Sequence, residues 1–103
     1  MDPFKPYTPT KRPAPGPSIH SAEDAQTVAL KAIAFIAADE DLLSRFVALT
    51  GCGIDEIKSR IADPAFLGGV LDFILADEPT LLAFAEAEQL APDTPMAARH
   101  KLP

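Results

Sequence analysis

From Ser21 onward, apolar residues recur at helical spacing, and aspartate, glycine and proline interrupt them at intervals. Ser21 followed by Asp24 approximates a capping box, with Asp where Glu is usual, and predicts a helix running to about Ala38. Asp39 is the next N-cap candidate, and Glu40 and Asp41 place negative charge at the positive end of the helix it opens. That second helix carries Leu42, Leu43, Phe46, Val47 and Leu49 on one stripe, and Gly51 ends it as a residue that tolerates the left-handed conformation. A short third helix sets Ile54, Ile57 and Ile61 on its dry side, with Asp55, Glu56, Lys58, Ser59 and Arg60 facing water. Asp63-Pro64 reads as an N-cap followed by proline at the first helical position, and opens a fourth helix over Phe66 to about Ala76. Asp77 caps a fifth, holding Leu81, Leu82, Phe84 and Leu90, and Thr94-Pro95 predicts a last short helix through Met96 and Arg99.

Residues 1–20 have a different texture. They hold six of the eleven prolines, which lack the backbone donor and fix φ, so the expectation is a disordered, extended, proline-rich tail. Within it, Pro6-Tyr7-Thr8-Pro9 has a spacing that groove-binding modules read. The organisation expected is a tail over residues 1–20 and one helical domain over residues 21–103.

The helical text repeats itself. Ala32–Phe46 aligned with Val70–Phe84, an offset of 38, gives seven identities in fifteen pairs: Phe35/Phe73, Ile36/Ile74, Ala38/Ala76, Asp39/Asp77, Glu40/Glu78, Leu43/Leu81 and Phe46/Phe84. Both buried-type positions and the cap between two helices match, which points to two duplicated helix-turn-helix units, although capped helical hairpins also converge on such a pattern. Two units fall short of an open solenoid, so the fold expected is all-α, a compact bundle of five to six short helices centred on helices 1 and 4.

Helices 1 and 4 are the most apolar. Lys31 is the one charge from Val28 to Ala38, and Asp72 the one charge from Phe66 to Ala76. A helix apolar all round is expected to be buried all round. The remaining helices offer limited cover, so a homodimer contact through one of these faces is an expectation beside that of a covered monomer core. Phe35, Ile36, Phe73 and Ile74 are the candidate interaction face. Gly68-Gly69, which costs a helix about 1–2 kcal/mol, is expected to mark a close helix–helix crossing.

Charge and composition narrow the chemistry. Hydrophobic residues make up 48% of the 103, enough to build a core. The tail carries Lys5, Lys11 and Arg12 against Asp2, a net of +2, while residues 21–103 carry six Lys/Arg against fourteen Asp/Glu, a net of −8. So acidic a domain repels phosphate backbones, and nucleic acid is not an expected partner. No apolar run is long enough to span a bilayer, no secretory signal is recognisable, and the expected location is cytoplasmic, with no membrane partner.

No catalytic, cofactor-binding or metal residue stands out. His20 and His100 lack Cys or His partners at ligand spacing. The cluster Asp39, Glu40, Asp41 reads as cap and helix-dipole complement, and Asp77-Glu78 repeats it where capping is again needed. Cys52, the only cysteine, lies between two glycines and reads as a small apolar plug rather than a nucleophile. A helix-turn-helix reading of helices 2 and 3 would push Asp55 and Glu56 toward phosphates.

The segments Ala22-Glu23-Asp24-Ala25, Leu49-Thr50-Gly51, Asp63-Pro64-Ala65-Phe66-Leu67 and Val70 through Glu78 resemble the domain of unknown function 3572, a family of short alphaproteobacterial proteins. The likeness covers about Ser21 to Leu90. Cys52-Gly53-Ile54 departs from it where leucine, a Ser or Asp cap and proline are expected. The resemblance implies a bacterial cytoplasmic protein and carries no activity and no site residues. The function expected is therefore a non-enzymatic protein–protein interaction module; the alternative is a small-molecule binding or sensing domain with an apolar pocket between helices 1 and 4.

Overall fold

The computed structural model describes residues 21–103, which form six helices: α1 (Ala22–Ala37), α2 (Glu40–Thr50), α3 (Ile54–Arg60), α4 (Pro64–Leu75), α5 (Glu78–Ala87) and α6 (Thr94–His100). The domain is all-α, without strands among the described residues. The proline-rich segment, its Pro6–Pro9 motif and His20 lie outside them.

Local side-chain chemistry delimits the first, second, fourth and fifth helices. The Asp24 amide donates to Ser21 Oγ at 3.2 Å, and Asp39 Oδ1 accepts from the amides of Asp41 and Leu42 at 2.9 and 3.2 Å. Asp63 Oδ1 accepts from the Ala65 amide at 3.0 Å, and Asp77 Oδ2 from the Thr80 amide at 3.1 Å. Each of these contacts satisfies an amide that the first helical turn leaves without a partner. Gly53 has no side chain to do this; instead its own amide donates to Glu56 Oε1 at 3.4 Å. Gly51 closes α2 in the left-handed region, at φ 74°.

Helix α1 packs on both α4 and α6, α4 packs on α6, and the hairpin pairs α1–α2 and α4–α5 close against this centre. The core runs through Ala25, Val28, Ala29, Ala32 and Ile36 of α1 and Leu67, Val70, Leu71 and Ile74 of α4, all nearly inaccessible. Three aromatic contacts tie the layers together at edge-to-face angles. Phe35 meets Phe84 at 5.5 Å, and Phe46 meets Phe73 at 5.3 Å and Phe66 at 6.2 Å between centroids.

Within the domain neither α1 nor α4 is covered all round; each keeps one open stripe. Leu30 is 43% exposed, and Ala34 and Ala37 continue the same open stripe of α1; Ala65, Gly69 and Asp72 form an open stripe on α4. Alanine and glycine raise a helix's apolar character without requiring burial, because they have little surface to hide. The α2 stripe also overruns the core: Leu42 and Phe46 are buried, whereas Leu49 is 74% exposed. On α3 only Ile57 is buried, and Ile54 and Ile61 are exposed.

The fifth helix is shorter than its apolar pattern suggests. It ends at Ala87, and Leu90 returns to the core from outside it. The Leu90 amide donates to the Ala85 carbonyl at 2.7 Å and the Gln89 amide to the Glu86 carbonyl at 3.2 Å, the two bonds of a Schellman closure. Its left-handed position belongs to Gln89, at φ 56°, where a β-carbon is crowded. Gln89→Gly is therefore expected to stabilise the domain by about 0.5–1 kcal/mol in denaturant unfolding, since the strain outweighs the added freedom of the unfolded glycine.

The last helix does more than its length promised. Pro95, Ala98 and Leu102 are buried, and Arg99 fastens the end of the chain to α4. Arg99 Nε donates to Asp72 Oδ1 at 2.7 Å, and Nη1 donates to the carbonyls of Leu102 and Pro103 at 3.1 and 2.9 Å. Gly68 lies beneath this strap: a β-carbon there would come within 2.8 Å of the Pro103 carbonyl oxygen and 3.1 Å of Arg99 Nη1. The close approach expected at Gly68-Gly69 is thus real at Gly68, where α4 meets the Arg99 side chain of α6 and the Pro103 carbonyl beyond it. Gly69 faces open space.

Candidate interaction cleft

The four residues singled out as an interaction face are divided by the fold. Ile36 and Ile74 are buried in the domain's own core, at 2% and 0% exposure, and offer no surface. Phe73 is half-buried against Phe46. Phe35 alone reaches a concavity, because its ring packs edge-on to Phe84 while its outer side stays accessible.

That concavity is an open cleft of about 290 Å³ between the α1–α2 hairpin and the first turns of α5. Phe35, Leu42, Pro79 and Ala83 supply apolar surface. Asp39, Asp41, Arg45 and Asp77 supply the charge, with Thr80 beside them. Two N-caps meet here for a structural reason. Asp39 and Asp77 each stand between the two helices of a hairpin, and the packing of α1–α2 and α4–α5 brings both corners to one cleft. Three carboxylates against one guanidinium leave the cleft acidic.

Asp77 is the most constrained of these groups. The Thr80 hydroxyl and amide both donate to its Oδ2. The Thr80 hydroxyl, then the Thr80 amide, and more weakly the Arg45 guanidinium, hold the Asp77 carboxyl below the usual carboxylate range, against a small opposing effect of burial. A carboxyl lowered in the folded state contributes stability that is fully present above its unfolded pKa and is lost as pH falls through the lower folded value. The melting-temperature gap between the parent chain and Asp77→Ala should therefore hold steady near neutrality and close below about pH 4.

Elsewhere, no three His, Cys, Asp or Glu side chains among the described residues come together to hold a metal ion. Asp72 is ion-paired with Arg99, and His100 is exposed on α6. Cys52 is buried at 5% exposure in the α2–α3 connection, its Sγ 3.8 Å from the Thr50 carbonyl, so it fills the apolar position expected of it. Between α1 and α4, where a pocket was the alternative expectation, the facing residues belong to the packed core. No described helix is long and apolar enough to cross a membrane.

Of the cleft residues, the sequence pointed to Phe35, to Asp39 and Asp77 as caps, and to Asp41 and Leu42 as the acidic first turn and apolar stripe of α2. Arg45, Pro79 and Ala83 carried no signal, since an outward arginine, a proline at the second helical position and a helical alanine each have an ordinary local explanation.

Neither a curated protein nor a solved structure matches the chain. A family model described as a protein of unknown function (DUF3572) matches residues 22–103, which extends the likeness past Leu90 through the whole of α6. The chain belongs to that family.

Proposed function

We propose that the domain is a non-enzymatic protein–protein interaction module that receives an extended segment of its partner in the cleft between α1–α2 and α5. The observation that carries this reading is the make-up of the cleft: apolar surface from Phe35, Leu42, Pro79 and Ala83 beside the charges of Asp39, Asp41, Arg45 and Asp77. An apolar centre with a polar rim is the usual anatomy of a recognition surface. The cleft is open to solvent, whereas sites for small molecules enclose most of their ligand. We also read the two hairpins as duplicated units, which accounts for the paired aspartate corners at Asp39 and Asp77.

Filling the cleft tests the reading. Ala83 is exposed on α5, so Ala83→Trp adds bulk to the cleft without disturbing the core. Partners captured from lysate by the parent chain should be lost with Ala83→Trp and retained with Ser59→Trp on exposed α3. Equal capture by all three chains would refute docking at the cleft.

A further inference from the structure

We propose that the proline-rich segment ahead of α1 is the cleft's resident occupant, with Lys11 and Arg12 against the carboxylates of Asp39, Asp41 and Asp77. This rests on the reading of the cleft as a docking site and names what holds it before a partner arrives.

Charge is the first argument. Residues 1–20 carry a net of +2, and the cleft's three carboxylates outnumber Arg45 by two. Among the other exposed apolar side chains, Leu49, Ile54 and Ile61 are accompanied by Lys58 and Arg60 against Asp55 and Glu56, and so offer a basic segment no net attraction.

Reach is the second. Proline-rich chain rises about 3.1 Å per residue, so the nine steps from Arg12 to Ser21 extend about 28 Å. Helix α1 rises about 20 Å between Ala22 and Phe35, which lines the cleft. Asp39 stands about 26 Å along the axis from Ala22, so the segment, returning along α1 near full extension, is just long enough to place Lys11 and Arg12 at Asp39 and Asp77.

Tethering is the third. A segment joined to its site by a short linker acts at an effective concentration of the order of millimolar, so the modest complementarity of two cations and a few prolines is sufficient. Prolines also suit the cleft chemically: they bring apolar rings to Phe35, Leu42 and Pro79 and few amide donors that need partners. A partner must then displace the segment, which raises the concentration of partner needed for capture.

Backbone amide spectra of the full chain, compared with those of Lys11→Glu/Arg12→Glu, test this. The expected result is a set of shifts at Leu42, Arg45, Thr80 and Ala83, with Lys58 on α3 unmoved. In the parent chain, salt at about 1 M, where screening shortens to about 3 Å, should move the same cleft amides the same way. Lys11→Arg/Arg12→Lys should leave them in place. Unmoved cleft amides would overturn the proposal, as would shifts confined to Leu49, Ile54 and Ile61. So would shifts that depend on protein concentration, which would assign the occupant to a second copy. If charge reversal leaves the cleft amides still while Ala83→Trp abolishes partner capture, this proposal falls and the docking reading stands.

Discussion

Phe84→Ala is expected to destabilise the domain by about 3–5 kcal/mol, the range for deleting a fully buried aromatic ring. Phe84 has no exposed surface, and its ring is the edge-to-face partner of Phe35 at 5.5 Å. Its removal loses the transfer free energy of an aromatic ring and leaves a void that α1 and α5 can only partly close. Domains of this size hold about 5–15 kcal/mol in total, and each kcal/mol moves the midpoint by about 4–8 °C, so the melting temperature should fall by at least about 12 °C. The cleft should suffer with it, because Phe35, which lines it, packs on Phe84. Calorimetry checks the first effect; loss of partner capture at a temperature where the variant remains folded checks the second.

The neighbouring glycines of α4 are expected to respond in opposite directions to the same substitution. Gly69→Ala should stabilise by up to about 1 kcal/mol, since the position is exposed, has φ compatible with any residue and meets nothing within 4 Å. Gly68→Ala gains the same helical propensity but drives a methyl group into the Pro103 carbonyl at 2.8 Å and the Arg99 guanidinium at 3.1 Å. Overpacking of this kind costs about 1–3 kcal/mol, so the two variants should differ by about that amount in urea unfolding. The Arg99–Asp72 pair would be disturbed, but Asp72 is 58% exposed and such a pair contributes only about 0–1 kcal/mol. The displaced strap and the packing of Leu102 account for most of the difference. Matching stabilities would mean that the strap moves aside without resistance.

What was legible in the sequence was what residues do to their own backbone. Ser21, Asp39, Asp63 and Asp77 were readable as caps because the side chain and the amide it serves lie two or three positions apart. Gly51 was readable as a stop for the same local reason. The left-handed turn at Gln89 was not, because the residue there has no special tolerance for it, and the turn is held by the return of Leu90 to the core. The role of α6 was also hidden, since its short run Thr94–His100 gains its burial from contact with α1 and α4, far away in sequence. The apolar run of α1 did not show which of its faces stays open, because Ala34 and Ala37, at the surface, read no differently along the chain from Ala29 and Ala32 in the core. The cleft was half legible: the match at an offset of 38 paired Asp39 with Asp77, but nothing along the chain says that both line one cleft with Ala83.

On the reading proposed above, the domain meets other polypeptide chains at the acidic cleft lined by Phe35, Leu42, Pro79 and Ala83. The most direct test of that reading is site-specific photo-crosslinking in cells, with a benzophenone amino acid placed at position 83 in the cleft or at position 59 on α3. Docking at the cleft gives discrete adducts from position 83 that persist after denaturing purification, and none from position 59. Adducts from position 59 of equal or greater yield, or none from position 83, would contradict it.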